Sequence, residues 1–130
     1  MSAARRLLVV DDEADFAAFV RELAVRRGFD VSVAGDGVAA RALFREFRPD
    51  IIVLDVVMPK ADGIEFITWL GEDGAAEGAK VRLIVVTGFN PNYGQLAEKL
   101  AAARGFASVK VLTKPVRVAT LVTALQDDAA

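Results

Sequence analysis

The chain has 130 residues, 54% of them hydrophobic and 26% charged, with a formal net charge of −2 and neither cysteine nor histidine. That length supports one domain around one core, and the missing residue types exclude disulfides, thiol nucleophiles, zinc knuckles, imidazole bases and any Ser-His-Asp triad. The mildly acidic balance has no basic stripe and argues against direct binding to nucleic acid, which needs clustered Lys and Arg to displace phosphate counterions.

At the N-terminus, Leu7 to Val10 is too short for a signal-peptide core. No later apolar stretch approaches the roughly 18 residues of a membrane span. A cytoplasmic location and no membrane partner are therefore expected. Five apolar runs read as strands: Leu7 to Val10, Val31 to Val33, Ile51 to Leu54, Val81 to Val86 and Val109 to Leu112. The first and third lack period-2 alternation, as strands covered on both faces of a parallel sheet do.

Helical spacing fills the intervals. Phe16, Phe19, Val20 and Leu23 form one apolar stripe, which Gly28 ends. A second helix is predicted over Val38 to Phe47, with Ala40, Leu43, Phe44 and Phe47 inward and Pro49 preventing its continuation. Further helices are predicted over Ile64 to Leu70, Gln95 to Ala103 and Val116 to Leu125, with a loop over Gly71 to Lys80. Residues 1–130 thus read as a single domain with a frayed tail over 126–130. The fold class is α/β, a doubly wound five-stranded parallel sheet with right-handed crossovers and helices on both faces. Function in such sheets sits outside the carboxyl ends of the strands.

Those ends carry Asp11, Asp12 and Glu13 after the first strand, Asp55 after the third, Thr87 and Gly88 after the fourth, and Lys114 and Pro115 after the fifth. Singly, each has a bland reading: a helix N-cap, a turn residue, a β-branched strand end, a solvated charge. Together they point further. If the first and third strands are neighbours, three carboxylates converge, which is unfavourable without a cation. Oxygen-only ligands favour a hard divalent ion, Mg²⁺ before Zn²⁺. With an ammonium and a hydroxyl added, the set suits phosphoryl transfer onto an aspartate.

On VVDDE, LDVVMPKADG, VVTG and LTKPV, the sequence resembles the receiver domains of bacterial two-component response regulators along essentially its whole length. The resemblance implies a flavodoxin-like sheet of order 2-1-3-4-5. It implies that Asp55 is the phosphoacceptor, supplied by a histidine kinase or histidine phosphotransfer protein. Asp11 and Asp12 would be the acidic pair holding Mg²⁺, one directly and one largely through water, with the backbone carbonyl of Val57 as a further ligand. Lys114 would bind a phosphoryl oxygen, Thr87 would swing toward another, and Gly88 would keep the entrance small. Pro115 would follow a cis peptide that aims Lys114 inward; Met58 and Pro59 would shape the loop beside the acceptor; Gly63, with Asp62, would make the turn into the third helix. A homodimer through the fourth helix, fifth strand and fifth helix is a further expectation.

The sequence also departs from the family pattern. The position three residues before the lysine, usually Tyr or Phe, is Val111, which reads as ordinary strand core; Phe89 and Tyr93 are the candidate substitutes in a switch. An Asn90-Pro91-Asn92 turn lengthens the segment before the fourth helix. Val57 and Phe89 are apolar where polar side chains could orient an attacking water, so the aspartyl phosphate is expected to be long-lived. Dephosphorylation of the purified phosphoprotein in Mg²⁺ checks this, a lifetime of seconds being the contrary result. Two other readings compete with a phosphorylated receiver that is not a turnover enzyme. One is a phosphorylation-independent interaction module. The other is an Mg²⁺-dependent phosphohydrolase with an aspartate nucleophile, a class that wants its first two aspartates one residue apart rather than adjacent.

Overall fold

The computed structural model describes residues 5–56, 62–72, 81–88, 91–103, 106 and 108–126. Strands β1 (Arg6–Val10), β2 (Asp30–Ala34), β3 (Ile51–Asp55), β4 (Arg82–Thr87) and β5 (Ser108–Thr113) alternate with helices α1 (Ala14–Arg26), α2 (Gly37–Phe47), α3 (Asp62–Glu72), α4 (Pro91–Ala103) and α5 (Val118–Gln126). All four strand pairings are parallel, in the order β2-β1-β3-β4-β5. This is the doubly wound, flavodoxin-like sheet that the alternation and the resemblance implied.

Burial explains the strand sequences. β3 and β4 are buried at every position and β1 at all but Arg6, so their apolar runs are unbroken. β2 and β5 form the edges and admit Asp30, Ser32 and Lys110. One face of the sheet packs Leu8, Ile52, Leu54 and Leu83 against Phe44 of α2, Phe66 and Leu70 of α3 and Ala97 of α4. The other packs Leu7, Val9, Val53 and Val86 against Val20 of α1 and Leu121 of α5. At about 1.5–3 kcal/mol for each fully buried aliphatic or aromatic side chain, these two layers dominate the stability of the fold.

The helix ends follow local chemistry. Gly28 has φ +89, its N–H donates to Val25 O at 3.0 Å and the N–H of Phe29 donates to Ala24 O at 3.1 Å. That double bond is a Schellman stop for α1. Asp36 caps α2, accepting the Ala39 N–H at 2.8 Å. α2 ends on Arg48 at φ 52, a left-handed conformation that costs a residue with a Cβ. Arg48→Gly is therefore expected to raise stability by about 1 kcal/mol, read as a higher urea midpoint at unchanged slope.

The boundaries of three predicted helices need correction. Pro91, expected in a turn with its neighbours, is the first residue of α4, where its missing N–H costs no intrahelical bond. α3 starts at Asp62 and ends at Glu72, so it takes in Gly63 and Gly71. α5 starts at Val118, two residues later than Val116, and takes in Gln126, expected in the frayed tail; residues 127–130 lie outside the described residues. Among the described residues no helix is long and apolar enough to cross a membrane.

Candidate functional site

Parallel strands place their carboxyl ends on one edge, and β1, β3, β4 and β5 each deliver a polar residue there. Asp11 leaves β1 with its N–H on Ala34 O at 3.0 Å, Asp55 is the last residue of β3 and lies in register with Val86, and Thr87 closes β4. Lys114 follows β5, and its N–H donates to Thr87 O at 2.8 Å. The Lys114–Pro115 peptide is cis. One carboxylate oxygen from each of Asp11, Asp12 and Asp55 lies within 4.8 Å of the others. Asp11 and Asp55 are only 3% and 4% exposed, whereas Asp12 faces solvent.

Lys114 Nζ ties the cluster together. It donates to Asp11 Oδ2 at 3.3 Å, to Asp55 Oδ2 at 3.2 Å and to Glu13 Oε1. It also sits 4.4 Å from the centroid of the Phe16 ring, a cation–π distance. An open cleft of about 700 Å³ adjoins it, lined by Asp55, Gly88 and Lys114 on the polar side and by Phe16, Phe19, Pro115 and Val116 on the apolar side.

Negative charge predominates among the described residues of the cluster. Burial pushes the Asp11 carboxyl up, the Glu13 N–H bond opposes this, the neighbouring Asp55 charge adds to the rise, and Lys114 opposes it; the net pKa is about 6. Burial alone would lower Lys114, but the Glu13 hydrogen bond and the Asp55 and Asp11 charges hold its ammonium well above the usual lysine range. Among the described residues, one ammonium faces three clustered carboxylates and Glu13. This all-oxygen set of clustered carboxylates fits a hard divalent cation.

An acid whose folded pKa is raised stabilises the fold while protonated and loses that contribution as pH climbs from 3.8 through about 6. A cation supplied at higher pH replaces the lost proton. Adding Mg²⁺ is thus expected to raise the melting temperature more at pH 8 than at pH 5, as thermal melts at both pH values will show. Equal shifts would contradict a shared carboxylate site.

Other predicted positions are resolved in part. Thr87 is 1% exposed at the end of β4. Val111 is a half-buried strand residue opposite Val85 and packs on the core face shared with α2, α3 and α4, in agreement with its reading as strand core. A Cβ on Gly88 would meet no described atom within 4 Å, so Gly88→Ala is sterically neutral among the described residues. Gly63 is not a turn residue. It lies within α3, where a Cβ would stand 2.5 Å from Val56 Cα and 2.8 Å from Asp55 O, so only glycine allows this helix to approach the end of β3. Val57, Met58, Pro59 and Phe89, and the side chain of Tyr93, lie outside the described residues.

Two participants carry no signal of their role in the sequence. In the sequence Glu13 is one of three strand-end acids and Phe16 belongs to the apolar stripe of its helix. Phe16 is only half-buried and its ring lies 6.0 Å from that of Phe19, at the stripe's margin facing the cleft. Their link to Lys114 spans about a hundred residues of sequence and is visible only once β1 and β5 share a sheet edge.

The response regulator receiver domain family model matches residues 7–126. The transcriptional regulatory protein PdtaR of Mycobacterium tuberculosis is 32% identical over 126 residues, covering 94% of this chain and 55% of that protein. The DNA-binding response regulator MtrA of the same species is 41% identical over 69 residues, covering 53% of this chain and 30% of that protein. This chain therefore spans between about a third and about half the length of the curated relatives it matches. Among solved structures, the chemotaxis response regulator CheY4 of Vibrio cholerae superposes with a TM-score of 0.78 at 25% identity, covering 95% of this chain and 97% of that one. A signal receiver domain from Bermanella marisrubri gives a TM-score of 0.77 at 29% identity, with the same coverage.

Proposed function

The chain belongs to the response regulator receiver domain family, and from that premise we propose that it takes a phosphoryl group onto Asp55 from the phosphohistidine of a histidine kinase or histidine phosphotransfer protein and signals through altered protein contacts. The observation that carries this reading is the buried Asp55 carboxylate, 3.2 Å from Lys114 Nζ and grouped with Asp11 and Asp12 at the sheet edge. None of these 130 residues is a histidine, so the phosphohistidine donor lies outside them.

The transfer needs few parts. A carboxylate oxygen of Asp55 attacks phosphorus; the new P–O bond forms as the P–N bond breaks, and the imidazole leaves with the bonding pair. Lys114 neutralises one phosphoryl oxygen, the Thr87 hydroxyl donates to another, and Gly88 adds no side chain at the entrance. Asp11, Asp12 and Asp55, with the Val57 carbonyl, are the proposed holders of Mg²⁺, which when bound supplies charge neutralisation at the transferring group. The product carries about −1.5 to −2 added charge, which needs these cations beside it. The half-buried edge formed by β5, with α4 and α5 on either face, is the proposed surface through which partners or a second copy respond.

Incubation with acetyl phosphate tests the proposal. Intact mass spectrometry is expected to show one added phosphoryl group with Mg²⁺ and none after chelation. No adduct under either condition would support the phosphorylation-independent reading, and continuous turnover of a phosphate ester would support the phosphohydrolase.

A further inference from the structure

We propose that Glu13 is the carboxylate that yields Lys114 to the incoming phosphoryl group, and that it thereby sets the phosphorylation rate and favours less negative donors. The inference rests on Asp55 being the acceptor. An ammonium has three N–H donors, and on Lys114 three carboxylates already take them: Asp11, Asp55 and Glu13. The ring of Phe16 covers a further direction of approach. A phosphoryl oxygen can therefore bind Lys114 only by displacing one of the three.

The three are not equally displaceable. The side chains of Asp11 and Asp55 are 1% and 4% exposed, and Asp11 is pinned by the Glu13 N–H at 2.8 Å. The Glu13 side chain is 62% exposed and returns to water at little cost. It is also the only one of the three that lines the cleft from a solvent-facing position, where its charge opposes an anionic donor before contact. Glu13 is the N-cap residue of α1 but makes no side-chain cap bond, so the helix start does not depend on its carboxylate.

Glu13→Gln tests the proposal in the full chain, with Glu22→Gln, an acid on the outer face of α1 paired with Arg26, as the charge-matched control. The second-order rate of phosphorylation by acetyl phosphate, in which Asp55 displaces acetate with the electron pair of the broken P–O bond, is expected to rise about three- to tenfold in Glu13→Gln at low salt. The gain should be smaller with the less negative phosphoramidate and should shrink at about 0.5 M salt; Glu22→Gln should match the parent. A purely structural role would not produce a donor-dependent, salt-dependent gain. If the parent is phosphorylated on Asp55 but Glu13→Gln reacts no faster, or gains equally with both donors at every salt concentration, the Glu13 proposal is overturned alone. If the parent takes no phosphoryl group on Asp55, the reading beneath it fails instead.

Discussion

Asp55→Asn is expected to abolish phosphoryl uptake while leaving the fold at least as stable as the parent. The amide has nearly the volume of the carboxylate, so the packing at the end of β3 is preserved, but it offers no anionic oxygen to attack phosphorus. Its effect on stability follows from the like charges grouped there. Asp55 lies in the same cluster as Asp11 and raises the Asp11 pKa. Making position 55 neutral relieves that repulsion, and Lys114 keeps Asp11 and Glu13 as partners. Thermal melts at pH 8 without divalent cations should show Asp55→Asn at or above the parent, with a smaller Mg²⁺ shift because one of three carboxylates is gone. A strong fall in melting temperature would mean that Asp55 serves mainly as a structural partner of Lys114.

Gly63→Ala should produce the largest loss of stability. The added methyl would sit 2.5 Å from Val56 Cα, 2.8 Å from Asp55 O and 3.0 Å from Val56 C, all of them backbone atoms that cannot rotate away. α3 would have to lift from the end of β3, loosening Phe66, Ile67 and Leu70 in the core beneath. Overpacking of this kind costs about 2–3 kcal/mol, and the same shift moves the backbone that aims Asp55. Urea denaturation should give a midpoint lowered accordingly, and the initial rate of phosphorylation should fall by about tenfold or more, since displacements near 1 Å cost reactivity steeply. Gly88→Ala, with open space around its Cβ among the described residues, is the contrasting substitution expected to leave stability within about 0.5 kcal/mol of the parent.

How much of this was readable beforehand varies with the physics of each element. The central strands were legible because burial on both faces permits only runs such as Leu7 to Val10 and Ile51 to Leu54, while the edge strands β2 and β5 mix in Asp30, Ser32 and Lys110. Helix starts were less legible: Pro91 is as fit for a first helical turn as for a loop, and only its neighbours in space decide. Asp11, Asp12, Asp55 and Lys114 could be foreseen together because parallel topology brings every carboxyl strand end to one edge. The role of Gly63 could not, since its short side chain is demanded by the approach of α3 to β3 and not by a local turn. The partnership of Glu13 and Phe16 with Lys114 was equally hidden, because it depends on how α1 leaves β1 and not on any spacing along the chain.

Borohydride trapping of the acetyl-phosphate-treated protein, followed by peptide sequencing in a mass spectrometer, identifies the phosphoacceptor, because reduction marks an acyl phosphate and records which residue carried it. Reduction is expected at Asp55 alone, dependent on Mg²⁺ and missing in Asp55→Asn. Reduction at Asp11 or Asp12, a phosphoryl group on a hydroxyl side chain such as Thr87, or no marked residue at all would contradict it.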